Sequence, residues 1–153
     1  MSPTVRYAED YLPGQVFDVG SHMFTAAEII AFSREWDPHP FHIDEAAAKE
    51  TMFGGLIASG WHTALVMMRM LHQGGFLSLE TSIGSPGHEE LKWLRPVRPG
   101  ELLRGQVVVN HVKISKSRPE LGFVNCTATL TNPAGEVVYL LTSAALIKTR
   151  AAG

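Results

Sequence analysis

Residues 57–71 read IASGWHTALVMMRML, and this stretch decides the fold. Its apolar residues recur at helical spacing and occupy more than one side of the predicted helix. One face carries Trp61, Ala64, Leu65, Met68 and Leu71, and the other faces carry Val66, Met67 and Met70. A helix that is apolar on nearly every side is normally enclosed by other structure. We therefore expect a buried central helix with the rest of the chain folded around it.

The chain after Gly74-Gly75 has the residue pattern of β-strands. Between residues 124 and 131 apolar side chains alternate with polar ones, which is the period of a strand with one buried face. A turn at residues 132–135 leads into a strand at 137–147. Earlier strands are expected at residues 91–94 and 101–112, and residues 11–24 form a loop that leads into the first strand. A long antiparallel sheet wrapped around one apolar helix is an α+β fold.

Two shorter helices are predicted ahead of the central one. Thr25 begins a capping box, in which its hydroxyl accepts a hydrogen bond from the helix and the Glu28 carboxylate reaches back to the Thr25 N–H. The run Asp37-Pro38-His39-Pro40 ends this helix and stiffens the loop that follows, because each proline excludes the residue before it from the helical conformation. A polar helix over residues 44–50 comes next, with Asp44 as its N-cap.

Composition places the chain among ordinary globular proteins. It has 153 residues, a net charge of −2 and one cysteine. We expect one domain over residues 1–153 with a core of about 11–149, and frayed ends at 2–10 and 150–153. The charge gives no basic surface for nucleic acid or an anionic membrane, no apolar run reaches the roughly 18–20 residues of a spanning helix, and the N-terminus lacks a secretory pattern, so a cytoplasmic location is expected. Cys126 has no disulfide partner and is predicted to be a small buried residue.

The loop Asp37-Pro38-His39-Pro40-Phe41-His42 places a carboxylate and an imidazole five residues apart. Further along, Ser59-Gly60 opens the central helix, where unpaired N–H groups and the positive end of the helix dipole can bind a carbonyl oxygen. A general acid/base pair beside an oxyanion-binding helix end outlines a reaction centre. The residues alone leave a structural alternative open, in which Asp37 is a turn residue and His42 is a packed loop histidine.

The chain resembles the MaoC-like dehydratases, the family of (R)-specific enoyl-CoA hydratases with the hot-dog fold. Three segments carry the resemblance: the loop 37–42, which matches the family's Asp-x-Asn-Pro-x-His, the run GLIASG at 55–60, and LKWLRPVRPGE at 91–101. His39 stands where the family has Asn. The resemblance implies a single hot-dog domain in which Asp37 and His42 are catalytic and hold one water, with the Gly60 N–H as oxyanion donor.

The activity that the resemblance implies is that of a lyase, which hydrates a 2-enoyl-CoA reversibly or dehydrates a 3-hydroxyacyl thioester. No cofactor is expected beyond the coenzyme A or acyl carrier protein of the substrate, and a homodimer at least is expected, since family members pair as dimers. Two alternatives stay open. A hot-dog thioesterase usually has its carboxylate on or beside the central helix, but residues 57–71 contain neither Asp nor Glu. A non-catalytic acyl-thioester-binding protein is favoured if His39 disables the loop.

Further residues are predicted to bind substrate. These residues are Phe53, Ile57, Ser59, Trp61 and Arg95. Ser59 is interpreted as an N-cap that can also orient the substrate, and not as a nucleophile, because no Gly-x-Ser-x-Gly turn surrounds it. The methionines at positions 67, 68 and 70 belong either to the core or to an acyl tunnel that Trp61 or Phe53 closes.

The remaining cations and histidines have both structural and functional interpretations. Arg95, Arg98, Lys116 and Arg118 are either scattered surface cations or contacts for the phosphates of the acyl carrier. His62 falls one turn into the central helix and is predicted to be a core histidine with its hydrogen bonds satisfied. No metal site is expected, because the other histidines outside the loop lack the spacing of metal ligands. Those histidines are His22, His72, His88 and His111.

Overall fold

The computed structural model describes residues 4–152, which form one curled antiparallel sheet of six strands and four α-helices. The strands are β1 (Val16–Met23), β2 (Ser82–Gly84), β3 (His88–Trp93), β4 (Leu102–Ile114), β5 (Leu121–Thr131) and β6 (Val137–Lys148). The helices are α1 (Ala26–Trp36), α2 (Pro40–Ile43), α3 (Glu45–Lys49) and α4 (Gly60–Gln73). Short 3₁₀ turns at Ala8–Asp10 and Arg150–Ala152 flank these elements.

The sheet supplies one wall of the core and α4 supplies the other. Strand order is β1-β4-β5-β6, and both β2 and β3 pair with β6. At the centre of the sheet Ala128 lies opposite Leu141 and Leu130 lies opposite Tyr139, and all four side chains are buried. They share one apolar cluster with Met67 and other inner residues of α4. The predicted α+β hot-dog fold, a sheet around a central helix, is confirmed.

The central helix is enclosed on one side only. Its inner residues are buried against the sheet: His62, Thr63, Val66, Met67, Met70 and Leu71. On the other side Trp61 is 59% exposed, Leu65 58% and Met68 39%. These three residues follow each other at helical spacing and form what we call the exposed stripe of α4. The prediction of a helix enclosed on nearly every side is wrong there, because the sheet of a single chain covers only one face of the helix.

Several local features differ from the sequence predictions. The Thr25 hydroxyl accepts the Glu28 N–H at 3.1 Å as predicted, but the Glu28 carboxylate lies 2.6 Å from His22 Nε2 and does not complete the capping box. The helix α2 and the strand β2 were not predicted, since each is too short to show a periodic pattern. Asp44 caps α3 as predicted, by accepting a backbone N–H at 3.0 Å.

The two ends of the described chain are packed against each other. Ala8 is fully buried. The Arg150 guanidinium donates to both carboxylate oxygens of Asp10 at 2.7 and 2.9 Å. The predicted fraying is therefore wrong for residues 4–10 and for Arg150, and the rest of that prediction falls mostly outside the described residues. No helix within the described part of the chain is long and apolar enough to cross a bilayer.

Candidate active site

The loop that follows α1 sets Asp37 and His42 face to face. Asp37 leaves the helix with φ −154° and ψ 71°. Pro40 is the first residue of α2. Its missing N–H costs no hydrogen bond there, because the first N–H groups of a helix have no acceptor within the helix. The single turn of α2 then brings His42 back toward α1, so that His42 Nε2 lies 3.3 Å from Asp37 Oδ2. The two side chains are therefore within direct reach of each other, although they lie five positions apart in sequence.

The contacts of His42 determine which of its ring nitrogens carries a hydrogen and which one faces Asp37. His42 is 6% exposed, and its Nδ1 lies 2.7 Å from the Ile57 carbonyl oxygen. A carbonyl only accepts, so Nδ1 carries a hydrogen and the second ring nitrogen, Nε2, faces Asp37. In a neutral His42 of this tautomer Nε2 is an acceptor, and so is every oxygen of an ionised Asp37. A hydrogen bond between them requires one shared proton, which either partner can hold, and this is the property that acid/base chemistry needs.

Ser59 lies directly behind the carboxylate. Its hydroxyl donates to Asp37 Oδ2 at 2.7 Å and accepts the Trp61 N–H at 3.3 Å, so one side chain both caps α4 and holds Asp37. Ser59 is fully buried. The structure thus places this predicted substrate-binding residue underneath Asp37, with its hydroxyl hydrogen already given to the carboxylate.

Gly60 is the first residue of α4, and its environment admits no side chain. A Cβ at this position would lie 2.6 Å from two atoms of the Trp93 indole, whose Nε1–H donates to the Gly60 carbonyl oxygen at 2.7 Å. The first N–H groups of a helix have no intrahelical acceptor. Ser59 binds the N–H groups of Trp61 and Thr63 through its hydroxyl and its carbonyl oxygen, and this leaves the Gly60 N–H available to a ligand.

A cleft of about 420 Å³ opens in front of this group. Its wall contains seven of the eight predicted site residues: Asp37, His42, Phe53, Ile57, Gly60, Trp61 and Arg95. The lining also contains residues that sequence reasoning missed, namely Ala58, Thr63, Trp93, Leu94, Pro96 and Val97. Four of these missed residues belong to the segment 91–101, whose motif was recognised but whose side chains were not assigned to the cleft. Apart from the acid/base pair and Arg95, the wall is largely apolar.

The arginines beside the cleft are already engaged in contacts within the chain. The Arg95 guanidinium lies 2.6 Å from the Glu136 carboxylate, and both side chains are largely exposed. Arg98 donates to the Phe53 carbonyl oxygen and so holds the chain on one side of the cleft. On the β4–β5 connection Arg118 pairs with Glu120 at 2.8 Å. Arg95 is therefore the arginine of this set that faces the cleft.

The methionines of α4 divide between core and surface. Met67 and Met70 are buried in the core, which was one of the two predicted alternatives for them. Met68 belongs to the exposed stripe and lines a separate apolar cavity of about 140 Å³ between α4 and the sheet. The cleft beside Asp37 is lined by other residues.

His62 is a core histidine, but its hydrogen bonds are not all satisfied. It is 8% exposed and stacks on Phe32 with the ring centroids 4.6 Å apart. Its Nε2 lies 3.9 Å from the Glu28 carboxylate, and its buried Nδ1 has no partner among the described atoms. Burial lowers the pKa of His62 and keeps its ring neutral. Within residues 4–152 no three His, Cys, Asp or Glu side chains are arranged to hold a metal ion.

Fold and site together define a hot-dog domain with an Asp/His pair at the N-terminus of its central helix. Residues 10–131 match the family model of the MaoC like domain. The chain therefore belongs to the MaoC-like family, as its three motifs predicted.

Known relatives cover most of the chain. A MaoC-like dehydratase from Rhodospirillum rubrum is 43% identical, covers 95% of this chain and 98% of its own, and superposes with a TM-score of 0.88. The (R)-hydratase from A. caviae involved in PHA biosynthesis is 25% identical over 92% of this chain and 98% of its own, with a TM-score of 0.73. The YdeM protein of Bacillus subtilis is 28% identical over 116 residues, which are 76% of this chain and 80% of that protein.

Proposed function

We propose that this protein is a hydro-lyase that adds water reversibly to a 2-enoyl thioester and, in reverse, dehydrates a 3-hydroxyacyl thioester. The observation that carries the proposal is the 3.3 Å contact between His42 Nε2 and Asp37 Oδ2 beside the N-terminus of α4, where the Gly60 N–H is available to a ligand. Hydration of an enoyl thioester needs a base for water, an acid for the α-carbon and a donor for the thioester oxygen. These three functions match the three groups that the fold brings together.

The proposed reaction begins with the thioester oxygen accepting a hydrogen bond from the Gly60 N–H, reinforced by the positive end of the α4 dipole. This contact stabilises the negative charge that develops on that oxygen as the bond to the β-carbon forms. One water bound at the cleft side of both Asp37 and His42 gives a proton to the pair while its oxygen attacks the β-carbon. The pair gives a proton to the α-carbon, so that the protein ends with as many protons as it began with.

The cleft supports an acyl thioester as the substrate class. Its wall offers apolar surface from Phe53, Ile57 and Val97 beside the reaction centre, which suits the acyl group. We place the carrier, coenzyme A or an acyl carrier protein, toward the cleft rim near Arg95. In this arrangement Arg95 would have to exchange its Glu136 partner for a carrier phosphate, and the exposure of both side chains makes that exchange inexpensive.

We further propose that two copies of the chain pair through the exposed stripe of α4. Three large apolar side chains on one helix face are the residues that an obligate partner covers. The strand β3 lies nearby and, among the described strands, pairs only with β6, so its outer edge offers backbone N–H and C=O groups to a second sheet. A second copy supplies the same apolar stripe and the same strand edge, as a two-fold symmetric interface requires.

A single assay separates this function from the two alternatives. Crotonyl-CoA is mixed with the protein, and the absorbance of the conjugated thioester is followed together with the release of free thiol. Loss of absorbance without thiol is the expected result. Thiol release would indicate a thioesterase instead. Tight binding without either signal, repeated across a panel of enoyl thioesters that differ in length and branching, would indicate a non-catalytic acyl-binding protein.

A further inference from the structure

We propose that His39 carries protons between Asp37 and the solvent while substrate fills the cleft. This inference rests on the proposed hydro-lyase function and adds a third titratable side chain to it. His39 does not touch the reacting atoms in this scheme but acts through Asp37. The position is a point where this chain departs from the Asp-x-Asn-Pro-x-His pattern, and an imidazole can gain and lose a proton near neutral pH, whereas an amide cannot.

The two oxygens of Asp37 face different surroundings. Oδ2 accepts the Ser59 hydroxyl at 2.7 Å and lies 3.3 Å from His42 Nε2. Oδ1 faces the other way, with His39 Nε2 at 3.7 Å. This separation is longer than a direct hydrogen bond, and a small rotation of the exposed His39 side chain would bring the two atoms within hydrogen-bond distance. The carboxylate therefore stands between a buried imidazole and an exposed one.

The backbone holds His39 in place beside Asp37. Its N–H donates to the Asp37 carbonyl oxygen at 2.9 Å, and its own carbonyl oxygen accepts the His42 N–H at 2.8 Å. The ring stacks on Phe41 with the two planes only 7° apart. Flanking prolines stiffen the same loop. The freedom left to His39 lies in its side chain, which is 64% exposed.

A substrate that fills the cleft would cover the parts of Asp37 and His42 that line it. The His42 side chain is 8% exposed and its Nδ1 is bound to the Ile57 carbonyl oxygen. His39 is not among the residues of the cleft wall. Asp37 Oδ1 and His39 thus form a route by which the pair reaches water on the outer side of the loop.

The proton transfer balances without a further reactant. In dehydration the pair takes the α-proton of the substrate and gives a proton to the departing hydroxyl group, which leaves as water. A proton on Asp37 Oδ1 passes to Nε2 of neutral His39, leaving a carboxylate and an imidazolium. The imidazolium releases a proton to solvent, and the reverse sequence reloads Asp37 with a proton from solvent. Only protons move in these steps, and Asp37 and His39 return to the charges with which they began.

The test follows an isotope and compares two rates in one experiment. A 3-hydroxyacyl-CoA deuterated at the α-carbon is incubated in H₂O at low buffer concentration, while an added enoyl reductase removes released product. Mass spectrometry gives the rate of α-deuterium loss from the remaining substrate, and product formation gives the dehydration rate. The ratio of the two rates reports how fast the abstracted proton exchanges with solvent before it returns to the substrate.

In the His39→Asn variant this ratio is expected to fall at least about threefold, because the abstracted deuterium stays on the pair and returns. Free imidazole added to a His39→Ala variant is expected to restore the ratio, which a structural role of His39 would not predict. His111→Asn is the matched control, since His111 is an exposed histidine on β4 and its removal leaves Asp37 untouched.

The outcomes separate this proposal from the one it rests on. A parent protein that dehydrates the substrate while His39→Asn keeps the parent ratio overturns the relay alone. A fall in ratio that imidazole does not restore in His39→Ala also overturns it. A folded parent protein that dehydrates no member of a 3-hydroxyacyl thioester panel overturns the hydro-lyase function and the relay together.

Discussion

The Ser59 hydroxyl donates to Asp37 Oδ2 at 2.7 Å and at the same time caps the helix whose first amide is the proposed oxyanion donor. One oxygen atom thus couples the position of the carboxylate to the start of α4. The two parts of the site come from segments 22 residues apart in sequence. We therefore expect a change at Ser59 to affect the proposed acid/base chemistry and the stability of α4 together.

Replacing Ser59 with Ala is expected to lower kcat about tenfold to a hundredfold, because Asp37 loses the hydrogen bond that orients its carboxylate. The free energy of unfolding should fall by about 1 kcal/mol with the lost cap. Thr25→Ala is the control, since it removes an equivalent cap from α1 at the end far from Asp37. A Thr25→Ala variant with the same kcat defect would show that capping alone explains the effect.

Asp37→Asn and His42→Ala are each expected to reduce turnover by about 10²–10⁴, because each variant lacks one of the two groups that are proposed to exchange protons with the substrate. Their circular dichroism spectra should show the parent fold, and His42→Ala should melt at a lower temperature because it loses a buried hydrogen bond to the Ile57 carbonyl oxygen. Asp44→Asn, which alters only the cap of α3, serves as the matched carboxylate control. Retention of more than about a tenth of the parent activity in both site variants would contradict the acid/base role.

Gly60→Ala is expected to destabilise the protein and to lower kcat by about 10²–10³, since the new methyl group collides with the Trp93 indole and displaces the oxyanion donor. The double variant Gly60→Ala/Trp93→Ala removes the colliding ring and should recover part of the lost stability. Chemical denaturation of the four proteins in this cycle measures the coupling. Strictly additive changes would mean that the two residues do not interact.

Cys126 is expected to resist thiol reagents in the folded protein. Burial raises the pKa of its thiol to about 11, and the thiolate is the reactive form, so little of it exists at pH 8. The side chain is also almost inaccessible, at 6% exposure. Reaction with a chromogenic disulfide should be slow without denaturant and fast in concentrated urea. Complete labelling of the folded protein within minutes would show that β5 opens readily.

Leu65→Asp, placed in the exposed stripe of α4, is expected to convert the proposed dimer into a monomer, because a charge cannot be buried there without a partner. Light scattering at micromolar concentration measures the mass. Leu12→Asp is the control, since Leu12 is equally exposed, at 62%, and lies outside the stripe. A parent protein that is itself monomeric at this concentration would refute the pairing.

The elements of this fold that local patterns encode were predictable. The alternation of residues 124–131 predicts β5, and the apolar run after Gly60 predicts α4. The exposure of Leu65 and Met68 was not predictable, because periodicity shows which residues are apolar but not how far the sheet of one chain reaches around them. Their chemistry suits an interface as well as a core.

In the candidate site, too, contacts within a short segment were predictable and contacts between distant segments were not. The spacing of Asp37 and His42 in a short proline-stiffened loop indicated that the two side chains could meet, and the resemblance to the MaoC-like family favoured this over a purely structural role. The contact between Trp93 and Gly60 joins residues 33 positions apart and depends on how β3 pairs with β6. No local pattern encodes that register, and Trp93 was accordingly missed.

The indole of Trp93 has a consequence for how concentration affects catalysis. Trp93 ends β3, which among the described strands pairs only with β6, and its Nε1–H donates to the carbonyl oxygen of Gly60, the proposed oxyanion donor. If two chains pair along that edge as proposed, the pairing would restrain Trp93 and, through this hydrogen bond, Gly60. Specific activity should then decline on dilution, in step with dissociation of the paired chains.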